Sequence, residues 1–409
     1  MGNLIAGLKA DYEKIFVEEW SHYLGAILLI MIILALMVNG TVWGVFGGVR
    51  FWGDKINGFL GLAPLLGIVT PEEGLLTHRM SLMNIMLLLG AFTAALMSRQ
   101  FQINRPPKLE ILWGALGGVL MGIGASFAGG CTTGAFFNPV VHSSPSGWVM
   151  GAGLMIGAVI GLKLLLWTLE RITWGMEPPP TLNAPEGLVK KYPLLGFLII
   201  GAIIIWSYAW YHSTDRIAAS RAVIVVLGFA IGFVMHRARL CFARAFREPF
   251  MTAEGDMTKA IMLALAIGIP IAAFLFQKNL IDPFAGIPAS FWIGSLVGGV
   301  LFGIGMVFAG GCASGSLWRM GEGHLKLWVA MFFFAWMGST ASALLKRAGL
   351  TSANPDVDVD FVVTAVGYQA YWPDLLGGWA PTLLLSGALL LVWYLLVRYN
   401  ESTEKFTVV

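Results

Sequence analysis

The chain has 409 residues, of which 57% are hydrophobic and only 12% charged. A soluble domain carries about 25% charged residues, so this composition excludes a soluble globular fold and indicates a membrane protein. The net charge of +3 is too small and too dispersed for a nucleic-acid partner.

Three cysteines without C-x-x-C spacing exclude a disulfide framework and argue against zinc. Six histidines form no H-E-x-x-H, and no G-x-x-x-x-G-K-[ST] is present to hydrolyse ATP. No metal, no cofactor and no enzymatic chemistry are expected.

Residues 1–22 mix acids and bases, and no small-residue cleavage site follows, so they do not read as a signal peptide. A bilayer core needs about 20 apolar residues in a helix. Ten stretches qualify in chain order: 24–38, 81–98, 110–128, 147–169, 193–211, 220–235, 258–276, 291–309, 324–345 and 377–398. The polar, proline-rich segment 177–193, EPPPTLNAPEGLVKKYP, reads as a linker. Fifteen Lys and Arg fall on the side of the N-terminus and eight on the other, which places both termini in the cytoplasm.

The third and eighth spans run into matched sequences. GGVLMGIGASFAGGCTTGAFF (117–137) and GGVLFGIGMVFAGGCASGSLW (298–318) agree at 13 of 21 positions, at a constant offset of 181. A gapless match that includes a scarce cysteine indicates internal duplication. The ten spans pair as five and five. An odd number of crossings inserts the second copy upside down, the inverted plan of many transporters. The expected fold is all-α and polytopic, with about ten transmembrane helices, short re-entrant helices and two inverted-topology repeats. The first repeat covers 1–176, with its last helix after the linker, and the second covers 212–409.

Gly129-Gly130-Cys131 and Gly310-Gly311-Cys312 would then dip toward the midplane from opposite faces, bringing Cys131 and Cys312 face to face. Glycine lets backbone turn sharply, and a new helix starting there points free N–H groups at an anion. A thiol adds a soft, polarizable surface. The plain alternative is close helix packing through small residues, with cysteine as a buried apolar group. The third thiol, Cys241, lies among Arg237, Arg239, Arg244 and Arg247. That cluster reads either as positive-inside anchoring or as a basic mouth that draws anions. Its counterpart in the first copy, roughly 40–55, has aromatic residues and no cysteine. Lys163, inside a span, is expected to snorkel; Glu248, Asp256 and Glu322, at span ends, are expected to be solvated.

FAGGCTTG, FAGGCASG and RARLCFARAFRE resemble the conserved pieces of the YeeE/YedE membrane proteins, over about residues 40–398. Length and the central linker are more like the YedE branch. The resemblance implies import of thiosulfate across the bacterial inner membrane. It also implies that Cys131, Cys241 and Cys312 line a central path and hand the anion inward by S–H···S contacts. A TusA-like sulfur-carrier protein is implied as a cytoplasmic partner, and the YedE branch raises selenium compounds as an alternative substrate. Two other readings stay open: a membrane thiol–disulfide protein, for which Cys131 and Cys312 would pair, and a channel for neutral solutes.

Overall fold

The computed structural model describes residues 2–172, 174–175, 177, 179, 185–353 and 361–408. Residues 178 and 180–184 of the linker 177–193 lie outside the described residues. The helices follow in order: α1 Gly2–Tyr12, α2 His22–Val38, α3 Val45–Phe59, α4 Ala63–Leu66, α5 Arg79–Met97 and α6 Lys108–Ala128. A π-helical start, Thr132–Phe137, runs without a break into α7, Asn138–Val141. Then come α8 Pro145–Arg171, α9 Glu186–Val189, α10 Tyr192–Tyr211, α11 Arg216–Arg237, α12 Phe242–Met251 and α13 Asp256–Gln277. The remainder is α14 Ile293–Ala309, α15 Ala313–Glu322, α16 Leu325–Arg347, a ribbon of β1 Val363–Thr364 and β2 Gly367–Tyr368, α17 Trp372–Leu376 and α18 Trp379–Thr403.

Each expected span is a helix whose ends lie within a few residues of the sequence reading. Among the described residues, nine helices are long and apolar enough to cross a membrane, or ten if α2 and the segment before it, bent by 74°, count as one. Local chemistry sets the ends. Ser21 caps α2 through the Tyr23 N–H, and Asp215 caps α11 through the Ile217 N–H at 2.9 Å. Gly129 (φ +73°) and Gly310 (φ +83°) take the left-handed conformation that stops α6 and α14.

The two copies interlock through glycine. A Cβ on Gly117 would meet the Gly305 carbonyl oxygen at 2.6 Å, and one on Gly124 would meet that of Gly298 at 2.6 Å. Positions 117 and 298 are equivalent in the two copies, as are 124 and 305. Each copy therefore offers the same patch to the other, the self-complementary contact of a two-fold axis. Along this seam the numbering rises in α6 as it falls in α14, so the equivalent helices run antiparallel. The second copy is inverted.

The remaining packing repeats in pairs: α8 lies on α14 as α6 lies on α16, and α5 on α11 as α13 on α2. Gly153 and Gly157 of α8 meet Gly299 and Gly303 of α14, while Gly118 and Gly122 of α6 meet Ala330 and Gly338 of α16. The small-residue packing reading is correct for the glycines inside the spans. Outside this core, α10 and α18 are the least covered spans.

Lys163 is exposed, as a snorkelling lysine must be, and Asp256 is also exposed. Glu322 and Glu248 are not solvated: only 9% and 8% of their surface is exposed. Both lie at ends of short helices tucked into the protein, where arginines compensate their charge.

At Gly124 a valine Cβ would also stand 2.6 Å from the Phe302 nitrogen. Overpacking of this kind costs about 1–3 kcal/mol. Gly124→Val should therefore lower the melting temperature of detergent-solubilised protein. Gly201→Ala, where nothing lies within 4 Å, should leave it unchanged or raise it.

Candidate functional site: four helix starts and three thiols

Four short helical segments begin next to one another: α3, the π-helical start of α7, α12 and α15. Each begins at an extended residue in the N-cap position: Gly44, Cys131, Cys241 and Cys312 respectively. All three cysteines of the chain are therefore helix caps. They are free and almost completely buried.

The Gly-Gly pairs make these starts possible. The first glycine of each pair supplies the positive φ that ends the preceding span. The second leaves room for the new helix: a Cβ on Gly130 would lie 2.9 Å from the Gly134 carbonyl carbon, and one on Gly311 3.1 Å from Ser316 Oγ. The backbone then extends through the cysteine and starts again.

In the second copy two thiols meet. A Cβ on Gly315 would lie 2.7 Å from Cys241 Sγ and 3.2 Å from Cys312 Sγ, so both sulfurs sit against the same bare glycine. Cys312 Sγ also accepts from the Gly315 N–H at 3.3 Å. In the first copy the glycine equivalent to Gly315 is Gly134, and its neighbour is Gly44, at 3.8 Å from a Gly44 Cβ. Gly44 thus stands where Cys241 stands in the other copy. Cys131 Sγ bonds Thr133 Oγ1 at 3.1 Å. The thiol that the structure puts beside Cys312 is thus Cys241, which sequence reading set apart.

The two halves join across the centre. Phe137 packs on Phe242 with ring centroids 5.5 Å apart, and Phe136 on Phe246 at 5.0 Å. Helix α15 also touches α3 and the π-helical start.

A cavity of about 1330 Å³ reaches the first Gly-Gly turn at Gly129, with Ser126, Phe127 and Ser290 beside it. Its wall carries Arg50 and Lys346 but also Asp54, Glu72 and Glu73. Such a mixed wall offers no strong attraction for anions. His78 stacks on Phe51 at 4.0 Å, and burial pushes its pKa below the ordinary histidine value. At the matching turn in the second copy, Arg319 donates to the Gly310 carbonyl at 2.9 Å.

Three of the four arginines around Cys241 are engaged by carboxylates, an amide or backbone carbonyls. Arg239 donates to Glu322 Oε1 at 2.6 Å, to Glu19 Oε1 at 3.0 Å and to Gln100 Oε1 at 2.9 Å. Its guanidinium also lies 5.6 Å from the Trp318 ring centre, and Trp318 donates to the Leu240 carbonyl. Glu322 is approached further by His236 at 3.6 Å and His324 at 3.3 Å. Arg237 donates to the carbonyls of Val17 and Glu18, and Arg244 pairs with Glu248. The cluster ties the loop before Cys241 to the end of α15. Glu322 is the residue sequence reading undervalued; its helix-end position resembles that of any solvated carboxylate.

Removing one partner of a buried ion pair costs about 3–5 kcal/mol, because the other charge stays buried. Arg239→Ala and Glu322→Ala should each lower the melting temperature strongly, and the double variant should lose less than the sum of the two. Additive losses would show that the pair does not couple α15 to the Cys241 loop.

A sulphur transport family matches residues 7–160 and 237–408, well over half of the chain. The matched stretches contain all three cysteines and both Gly-Gly turns. The chain is 27% identical over 302 residues to the probable transporter YedE of Escherichia coli K12, covering 71% of this chain and 73% of that protein. It is 36% identical over 115 residues to the thiosulfate transporter TsuA of the same organism, covering 28% and 32%. To the thiosulfate transporter TsuA of Spirochaeta thermophila it is 30% identical over 189 residues, covering 44% and 56%. The family match, the polytopic helical fold and the YeeE/YedE motifs agree: this chain belongs to the sulphur transport family of membrane proteins.

Proposed function

We propose that this protein imports a small sulfur-bearing anion, thiosulfate first, across the bacterial inner membrane, with both termini in the cytoplasm. The anion enters through the cavity ending at Gly129. It is held among the four helix starts, where N–H groups and positive helix ends favour negative charge. Cys131, Cys241 and Cys312 line the path, and their soft sulfurs accommodate the terminal sulfur of the guest. Gly129, Gly130, Gly310 and Gly311 shape the turns that hold those caps. Arg239 secures the inner end of the path rather than contacting the anion at an open mouth. The anion passes unaltered and is delivered to a TusA-like carrier on the cytoplasmic side.

The observation that carries this reading is that every cysteine in the chain occupies the N-cap position of a buried short helix. Packing alone gives no reason for that coincidence. The thiosulfate transporters among the relatives support the choice of substrate. Selenium-containing anions form the neighbouring class, since a thiol presents the same soft surface to selenium. The closeness of Cys241 and Cys312 favours one second reading, a reversible thiol–disulfide function.

Uptake of labelled thiosulfate by vesicles containing only this protein tests the proposal. Wild-type vesicles should accumulate label. Cys241→Ala and Cys312→Ala should reduce uptake by tenfold or more at equal protein level, and an uptake-deficient host carrying either should fail to grow on thiosulfate as sole sulfur source. Undiminished uptake by both variants would remove the thiols from the path. A Cys241–Cys312 disulfide that forms and breaks during turnover would favour the redox reading instead.

A further inference from the structure

The two halves of the central site are chemically unequal, and the inequality falls on matched positions. In the second copy the residue before the α12 cap is Leu240, and the residue after the Cys312 cap is Ala313; neither has a polar side chain. In the first copy the corresponding residues are Trp43 and Thr132. Both are fully buried. Trp43 Nε1 and Thr132 Oγ1 have no hydrogen-bond partner among the described residues.

A buried donor without a partner costs about 1–3 kcal/mol, and each such group in a native protein calls for an explanation. These two flank helix starts that approach one another through Gly44 and Gly134, and the Asn138 side-chain amide holds the Trp43 carbonyl in place. Another unpartnered hydroxyl, Ser316 Oγ, lies one turn inside α15 against Gly311 rather than at a cap. The first half thus offers two hard donors at its helix starts beside one thiol, Cys131, which is bonded to Thr133 Oγ1, and the second half offers two soft sulfurs side by side.

We infer that Trp43 and Thr132 form an oxyanion subsite, which receives the oxygen-bearing end of the guest while its terminal sulfur faces Cys241 and Cys312. The inference rests on the proposed transport of a sulfur-bearing anion and deepens it by fixing which way round the anion sits. An indole N–H and a hydroxyl are apt donors to sulfonate oxygens, which accept but do not donate. An anion with hard oxygens at one end and soft sulfur at the other matches both halves at once. Sulfate has no soft end to offer the thiols, and hydrosulfide has no oxygens to satisfy the donors.

The test uses two anions, thiosulfate and sulfite, whose binding to the purified full-length protein in detergent is measured by calorimetry. Sulfite carries the oxyanion end without the terminal sulfur. Thr132→Val removes a donor with little change of shape, and Trp43→Phe removes one while shrinking the ring, so melting temperature is measured for both. Each should weaken both anions by about tenfold or more, the effect of a lost hydrogen bond to a charged group. Cys241→Ser and Cys312→Ser should weaken thiosulfate and leave sulfite nearly unchanged. Wild-type affinity for both anions in Trp43→Phe and Thr132→Val, with unaltered melting temperatures, would overturn the subsite. Loss of thiosulfate binding alone in these variants would overturn the orientation. If the wild-type protein bound neither anion, the proposed function itself would fail, a distinguishable outcome.

Discussion

A helix can stop in the middle of a membrane only where protein or water covers the backbone groups it leaves free. This constraint governs the whole fold. α6 and α14 end at left-handed glycines, and new short helices begin three residues later. Their free N–H groups must be surrounded by other segments. The inverted duplication supplies them, because each copy's break is packed against elements of the other. The glycine seam between α6 and α14 brings the copies close enough for this to work. Gly117 against Gly305 and Gly124 against Gly298 leave no room for side chains, so backbone meets backbone.

Once the breaks are enclosed, their chemistry follows. Exposed helix starts in a low-dielectric interior attract anions, by about 0.3–1 kcal/mol each and up to about 2 in favourable buried geometry. Four such starts at one centre provide a site whose strength does not depend on formal charge. Arg237, Arg239 and Arg244 are bound to carboxylates and carbonyls, most visibly Arg239 to Glu322. In the proposed path, cap identity sets selectivity, since the cap side chain adjoins the free N–H groups. A cysteine there, as with Cys312 accepting from Gly315, presents sulfur where serine or aspartate would present oxygen.

Much of the architecture was legible in the sequence because transmembrane length and hydrophobicity are simple signals. Ten apolar stretches, the matched GGC segments and the inverted plan all follow from counting and comparison. The short helix α3 was not legible. Its 15 residues include Arg50, Asp54 and Lys55, too many charges to count as a span. Sequence matched the stretch 40–55 to the Cys241 element by position, but it could not single out Gly44 as the residue that stands where Cys241 does, since the two stretches share no motif. The closeness of Cys241 to Cys312 depends on how α12 and α15 pack, which no local pattern encodes. Burial of Glu322 escaped for a similar reason: its partners His236 and Arg239 come from a distant part of the chain.

The central claim is that a soft anion rests among the helix starts with its sulfur against the thiols of the second copy. Anomalous diffraction from crystals of this protein soaked in selenosulfate would locate the selenium atom directly. The account predicts one strong peak in contact with the sulfurs of Cys241 and Cys312, beside Gly315. A peak elsewhere, or none at saturating concentration, would contradict it.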